Sequence, residues 1–370
     1  MRGIGLWFCS QFENQRSGAF ARKKMNSVLY TSELRREIGA RSRTWAHGRA
    51  HVESYGDPPV IVFQPENGRH GNFFDDSYNA ICSRPDWLRR FDKIHAQGRS
   101  LPKPELGVQG EPPRRWRELD SSMSSDALLM NVFCAPGVAN DPLVRSTLGV
   151  AGDATPEFGW KARVPLKNGR FDRTEVDLRW GGLLIEAKLT EADFQTREAA
   201  IVEGYRDFAD VFDKDLLPRV EIRMARRKQA VEFAEEFTQE WEDVGREEAE
   251  LMEAAAVSRE FQAAIVERAR EAEPFEPGYR GYQLIRNVLA AYAEGSSFCV
   301  IHDERRPDLR EMWFQVMAAV KIVEMRVRCK VLTWQELAGL APSDLAKFLD
   351  AKYGIVAGGV RCTPVDESCF

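Results

Sequence analysis

The chain has 370 residues, of which 44% are hydrophobic and 29% charged, with a formal net charge of −5. This composition supports a packed core and excludes wholesale disorder; the length fits one large domain with additions, or two domains. No apolar run reaches the roughly 18 residues a bilayer span needs, and the N-terminal apolar stretch ends after about six, short of the roughly 7–15 of a secretion signal. The expectation is a cytoplasmic protein with no membrane partner.

The cysteines (Cys9, Cys82, Cys134, Cys299, Cys329, Cys362, Cys369) are scattered, odd in number and contain no C-x-x-C pair. That excludes a disulfide framework and a cysteine-ligated zinc site. The histidines form no H-E-x-x-H spacing, and neither a P-loop nor a G-x-S-x-G elbow is present. Charge is unevenly spread. Residues 232–253 hold ten acids and one base, so the rest of the chain is net positive and can carry basic surfaces.

In chain order, residues 1–50 read as an Arg-rich arm with a helix near 31–41. PPVIVFQP (58–65) suits a short strand. Residues 77–98 read as helix, a break before Pro85, then helix; a Pro/Gly/Arg-rich linker covers 99–117. SSMSSDALLMNVFCA (121–135) is a helix with serines available as N-cap. Over 157–189 the period changes to alternation punctuated by Asn168-Gly169 and Gly181-Gly182, which predicts a three-stranded antiparallel meander. Residues 191–273 return to long, heavily charged helix broken at Pro218. A helix follows over 282–294, a strand over 296–303, a helix near 308–323, a strand over 326–333 and a capped helix starting at TWQEL (333–337).

The chemistry concentrates in TEVDLRWGGLLIEAKL (174–189). With Gly181-Gly182 as a two-residue turn, Trp180 faces Leu183, Leu178 faces Ile185 and Val176 faces Ala187, an apolar face. On the other face Asp177 stands opposite Glu186, and Glu175 opposite Lys188. Opposed like charges destabilise a sheet, and burial makes them worse. A divalent cation resolves the conflict, because Mg²⁺ takes carboxylate oxygens and needs only one or two of them. Lys188, on the same face as Glu186, can orient a water or balance charge on a phosphate.

These residues resemble the PD-(D/E)XK, or restriction-endonuclease-like, nuclease superfamily. Asp177 matches its first acid, and Glu186-Ala187-Lys188 its (D/E)-x-K triplet. The resemblance implies an α/β fold with a restriction-endonuclease-like core: helix, three-stranded meander, helix, strand. The segments 121–135, 157–189, 282–294 and 296–303 supply that order. It implies Mg²⁺, or Mn²⁺, held by Asp177, Glu186 and the Ala187 carbonyl, with Lys188 assisting the water. Glu175 and Gln283 join Asp177, Glu186 and Lys188 as candidate catalytic residues. Gln283 and Arg286, in YQLIRN, resemble the polar residues many members carry on the following helix. The acid many members carry on the first helix is matched here by Glu118 or Asp126. HGNFFDDSYNAICSRPDWLRRFDKIHAQ (70–97) resembles a prokaryotic subgroup described as restriction endonucleases.

The implied organisation is an N-terminal extension (1–117), a nuclease domain (118–350) with a helical insertion (191–273), and a C-terminal tail (351–370). The implied reaction is phosphodiester hydrolysis, with double-stranded DNA as the expected partner and a homodimer as a compatible arrangement. The alternatives are an RNA or structure-specific repair nuclease, and a non-catalytic helical interaction module. The acidic 232–253 segment reads as a solvated helix face, or as a docking surface or phosphate mimic. Arg114, Arg115, Arg117, Arg226, Arg227 and Lys228 read as surface, or as a track for a phosphate backbone. His302-Asp303 and the tryptophans at 116, 160, 180 and 241 read as structural.

Overall fold

A computed structural model describes residues 30–55, 59–95, 116–173, 175–223 and 275–358. Its centre is a mixed five-stranded sheet. The strands are β1 (Pro156–Lys161), β2 (Glu175–Trp180), β3 (Leu183–Ala187), β4 (Ser297–His302) and β5 (Cys329–Thr333), in the spatial order β5-β4-β3-β2-β1. The pairs β1–β2 and β2–β3 are antiparallel, which is the expected meander. β3–β4 and β4–β5 are parallel, as the intervening helices require. The tight β2–β3 connection depends on Gly181, whose φ of +58° suits a residue without a Cβ.

Helices cover both faces. One layer is α1 (Ser125–Phe133) with the C-terminal helix α5 (Ser343–Tyr353). The other is α2 (Tyr282–Glu294) and α3 (Pro307–Ala319); a short α4 (Trp334–Ala338) follows β5. β3 is buried along its whole length, and its side chains alternate between the layers. Leu183, Ile185 and Ala187 pack with Leu128, Val132, Phe133 and Phe348, whereas Leu184 packs with Ile285, Val288 and Trp313. A central strand covered on both sides reads as a continuous apolar run, and a charged pair at its end therefore stands out. Local signals set the helix ends. Ser124 Oγ accepts from the Ala127 N–H, Thr333 and Glu336 form a capping box, and α2 ends at Gly295 with φ +66°.

Most expected elements are present with shifted ends. The first helix covers 30–45 and Ile61–Phe63 is a strand; Asp75–Cys82 and Pro85–Leu88 are helices separated before Pro85. The region after β3 needs correction. Instead of long helix, 191–223 holds strands Thr196–Glu198 and Arg219–Arg223 and the short helices Ala199–Val202 and Phe208–Val211. Both strands pair antiparallel with Phe275–Arg280, so Arg223 and Phe275 lie side by side where the chain leaves and returns. Buried Phe194, Val202, Tyr205, Phe208 and Phe212 anchor this region to α2 and α3. The rest of the expected insertion, with its acidic segment, lies outside the described residues. The strand expected over 326–333 starts at Cys329, because Val323–Arg328 is helix, and α5 is an additional element. Among the described residues no helix is long and apolar enough to cross a membrane.

Trp180 ties the hairpin to the α1 layer. It is fully buried, donates Nε1–H to the Ala154 carbonyl at 2.8 Å and meets Phe133 edge-on at 5.6 Å. Trp180→Ala is expected to cost about 3–5 kcal/mol of unfolding free energy, read from the urea midpoint. A loss below about 1 kcal/mol would show that the hairpin is held by other contacts.

Candidate active site

The hairpin register is the expected one, with Trp180 paired to Leu183, Arg179 to Leu184 and Leu178 to Ile185. The ladder stops there. Asp177 extends Oδ2 into the opening and accepts the Ala187 N–H at 2.8 Å, where backbone pairing would otherwise continue. On its other side β3 stays zipped to β4: Glu186 pairs with Val300, Ala187 with Ile301, and the Lys188 N–H donates to the Ile301 carbonyl at 2.8 Å. The two strands therefore part at Asp177 while β3 remains anchored. N–H and C=O of one strand residue leave on the same side, so the Ala187 carbonyl faces the opening as well.

Two expected pairings are corrected by this divergence. Glu175 does not face Lys188; it accepts from Arg90 Nη1 at 2.6 Å and lies 3.6 Å from Lys93 Nζ. Val176 leaves the apolar face shared by Leu178 and Trp180 and joins the α2 side. Asp177 and Glu186 still flank one opening, but their strands are no longer paired at that level.

Glu186 and Lys188 are buried and bound to each other, with Nζ 2.6 Å from Oε1. Asn287 of α2, fully buried, donates Nδ2 to Glu186 Oε2 at 2.8 Å. Each carboxylate oxygen is thus fixed by one partner and keeps a second lone-pair direction. Arg286 is also buried. It holds the Glu175 carbonyl at 3.0 Å and Asn287 Oδ1 at 2.6 Å, so it braces the site from within. Gln283 lies in the first turn of α2, partly exposed, one turn before Asn287 on the same face. The YQLIRN segment contains Asn287, and its i, i+4 relation to Gln283 was the signal available for it.

Further acids and two unexpected cations complete the cluster. Asp126, in the first turn of α1, accepts from Arg90 Nη2 at 2.8 Å and Lys93 Nζ at 2.7 Å. Glu118 lies before α1, in the short turn Glu118–Asp120, so Asp126 is the acid on the first helix. Glu191 accepts from the Leu189 N–H at 2.7 Å and from Ser125 Oγ. Arg90, Lys93, Asn287 and Glu191 were not among the expected residues. Arg90 is 85 residues from Glu175, beyond any local pattern.

The electrostatics follow the geometry. Burial pushes the Asp177 carboxyl well above its ordinary range, and Glu186 and Asp126 push it further, outweighing Lys188 and the Ala187 N–H. Burial alone would lower Lys188, but Glu186, Glu191 and Asp177 hold it above its usual value. Burial alone would raise Asp126; Arg90 and Lys93 reverse that. Burial and the nearby Asp126 raise Glu118. Asp177 Oδ2 is occupied by Ala187, and among the described residues Oδ1 accepts no hydrogen bond. Among the described residues no three His, Cys, Asp or Glu side chains already close around a cation position.

The remaining expectations divide. Arg114, Arg115, Arg226, Arg227, Lys228 and Trp241 lie outside the described residues. Arg117 lies over the Phe91 ring at 6.0 Å. His302 is buried with Nδ1 2.8 Å from the Asp303 carbonyl, and Asp303 binds Arg305. Trp116 and Trp180 are buried, also as expected.

An acid whose native pKa is raised binds its proton in the native state before the unfolded chain does, so its ionisation destabilises the fold as pH rises. In metal-free buffer at neutral pH, Asp177→Asn is expected to melt roughly 2–4 °C above wild type. The gap should shrink as pH falls towards the ordinary carboxylate range. A lower melting temperature for the variant at neutral pH would contradict the repulsion.

Comparison with known proteins places this arrangement in a family. No curated protein and no solved structure matches the chain. The family described as Restriction Endonuclease associating with ARP matches residues 39–354, which include every described part of the site. The chain belongs to that restriction-endonuclease family.

Proposed function

We propose that the chain is a cytoplasmic, divalent-metal-dependent nuclease that hydrolyses phosphodiester bonds in double-stranded DNA. Family membership supports a restriction-type nuclease that binds nucleic acid. The observation that carries the finer reading is the Asp177 carboxylate set in the opening of β2 and β3, beside a buried Glu186–Lys188 pair. The order α1, meander, α2, β4 supports a PD-(D/E)XK core.

The residues fit an ion of the Mg²⁺ or Mn²⁺ kind. Asp177 offers an oxygen without a hydrogen bond, and Glu186 keeps free lone-pair directions. The Ala187 carbonyl faces the same opening. Two carboxylates are enough for an ion that keeps several waters. When bound, such an ion polarises a phosphoryl oxygen and lowers the pKa of a coordinated water.

The chain's own groups do the rest. Glu186 fixes the Lys188 ammonium, which donates to the attacking water or to a phosphoryl oxygen as negative charge builds there. Asn287 keeps Glu186 from rotating away from the opening. Glu175 acts through Arg90 rather than through Lys188. Gln283, partly exposed on the face that presents Asn287, meets the substrate backbone. A two-fold dimer would match a duplex cut on both strands.

Purified chain is expected to cleave duplex DNA with Mg²⁺ and to lose activity in chelator. Lys188→Ala should slow cleavage by about 10²–10³-fold. Mg²⁺ at about 100 times its Kd should stabilise wild type by roughly 2.7 kcal/mol, and Asp177→Ala should remove both that shift and cleavage. Undiminished cleavage by Asp177→Ala would refute the assignment. Cleavage confined to RNA or single strands would keep the chemistry and change the substrate.

A further inference from the structure

Two of the site's acids are already neutralised by the protein. Arg90 stands on the short turn Arg89–Asp92, after the helix Pro85–Leu88, and reaches into the cluster with a side chain only 6% exposed. Its two terminal nitrogens divide between Asp126 of α1 (2.8 Å) and Glu175 of β2 (2.6 Å), while its Nε is buried without a partner among the described residues. Lys93 adds a second cation, 2.7 Å from Asp126 and 3.6 Å from Glu175. The route is built for this side chain. Gly159 of β1, with φ +69°, lies beside the guanidinium, and a Cβ there would collide with Arg90 Nη1.

The position so filled adjoins the opening. Asp126 repels Asp177, and Asp177 attracts Lys93. Carboxylates from two separate elements converging on one point beside an ion-binding pair resemble half of a two-metal site, in which paired ions steady the attacking and leaving oxygens. Here the charge at that point is a guanidinium, permanently protonated and locked in a fork geometry. The unpaired Nε fits this reading: orientation by the two acids is kept at the expense of a buried donor.

We propose that Arg90, assisted by Lys93, takes the place of a second divalent ion, so that this nuclease binds one ion per chain, at Asp177 and Glu186, and Asp126 and Glu175 do not ligate metal. Arg90 is then a positioning residue that sets the charge and placement of Asp126 and Glu175 around the single ion. The inference rests on the metal-dependent reading of Asp177 and Glu186.

Counting bound Mn²⁺ by electron paramagnetic resonance on the full-length chain tests it. Wild type and Arg90→Lys should bind one ion per chain. Arg90→Gln should admit a second, weaker ion, and Asp126→Asn in that background should remove it. Where Arg90→Gln does not fold, wild type and Asp126→Asn alone decide, since both should bind one ion per chain. Two ions in wild type, with one lost in Asp126→Asn, would overturn the proposal while leaving the metal-dependent reading intact. No Mn²⁺ bound by wild type would remove that reading and this proposal with it.

Discussion

The site turns on one placement: the Asp177 carboxylate, set between β2 and β3, takes over a backbone N–H that a continuing ladder would have used. That bond holds the strands apart at one level while β3 stays joined to β4. The opening exposes two carboxylates and a carbonyl edge to a common space without breaking the sheet. Its cost is electrostatic, because the half-buried Asp177 lies near Glu186 and Asp126. That repulsion is the observation on which the proposed cation site rests.

The surrounding layers offset that cost unevenly. Lys188 neutralises Glu186 across the same strand, and Asn287 secures the second oxygen. Arg90 and Lys93 neutralise Asp126 and Glu175. Asp177 is left with a single backbone donor. The most weakly compensated acid is therefore the one in the opening. The buried pair itself is poor evidence of stability, since burying both charges costs about as much as their attraction returns. Its value is in fixing where the ammonium points.

The hairpin and its triplet were legible because a period of two and a Gly-Gly turn are local signals. The α2 helix was legible as well, and α1 and α4 were legible from their polar caps. What escaped was non-local. Arg90 and Lys93 join Asp126 and Glu175 across long stretches of chain, and nothing in their own neighbourhood marks them as partners of an acid. The strands over 191–223 were hidden by charge that resembled a helix face; the alternation of Val220 and Ile222 was a short cue, meaningful only once Phe275–Arg280 is seen beside it. The divergence at Asp177 was also invisible, because a register rule extends a ladder until a side chain interrupts it.

Anomalous diffraction from crystals of the full chain grown with Mn²⁺ examines the central claim most directly. The account requires a peak in the gap between the 177 and 186 carboxylates, within about 2.3 Å of an oxygen from each, a distance set by hard-cation coordination. Density for the ion elsewhere, or a closed ladder with 176 and 187 hydrogen-bonded through their backbones, would contradict it.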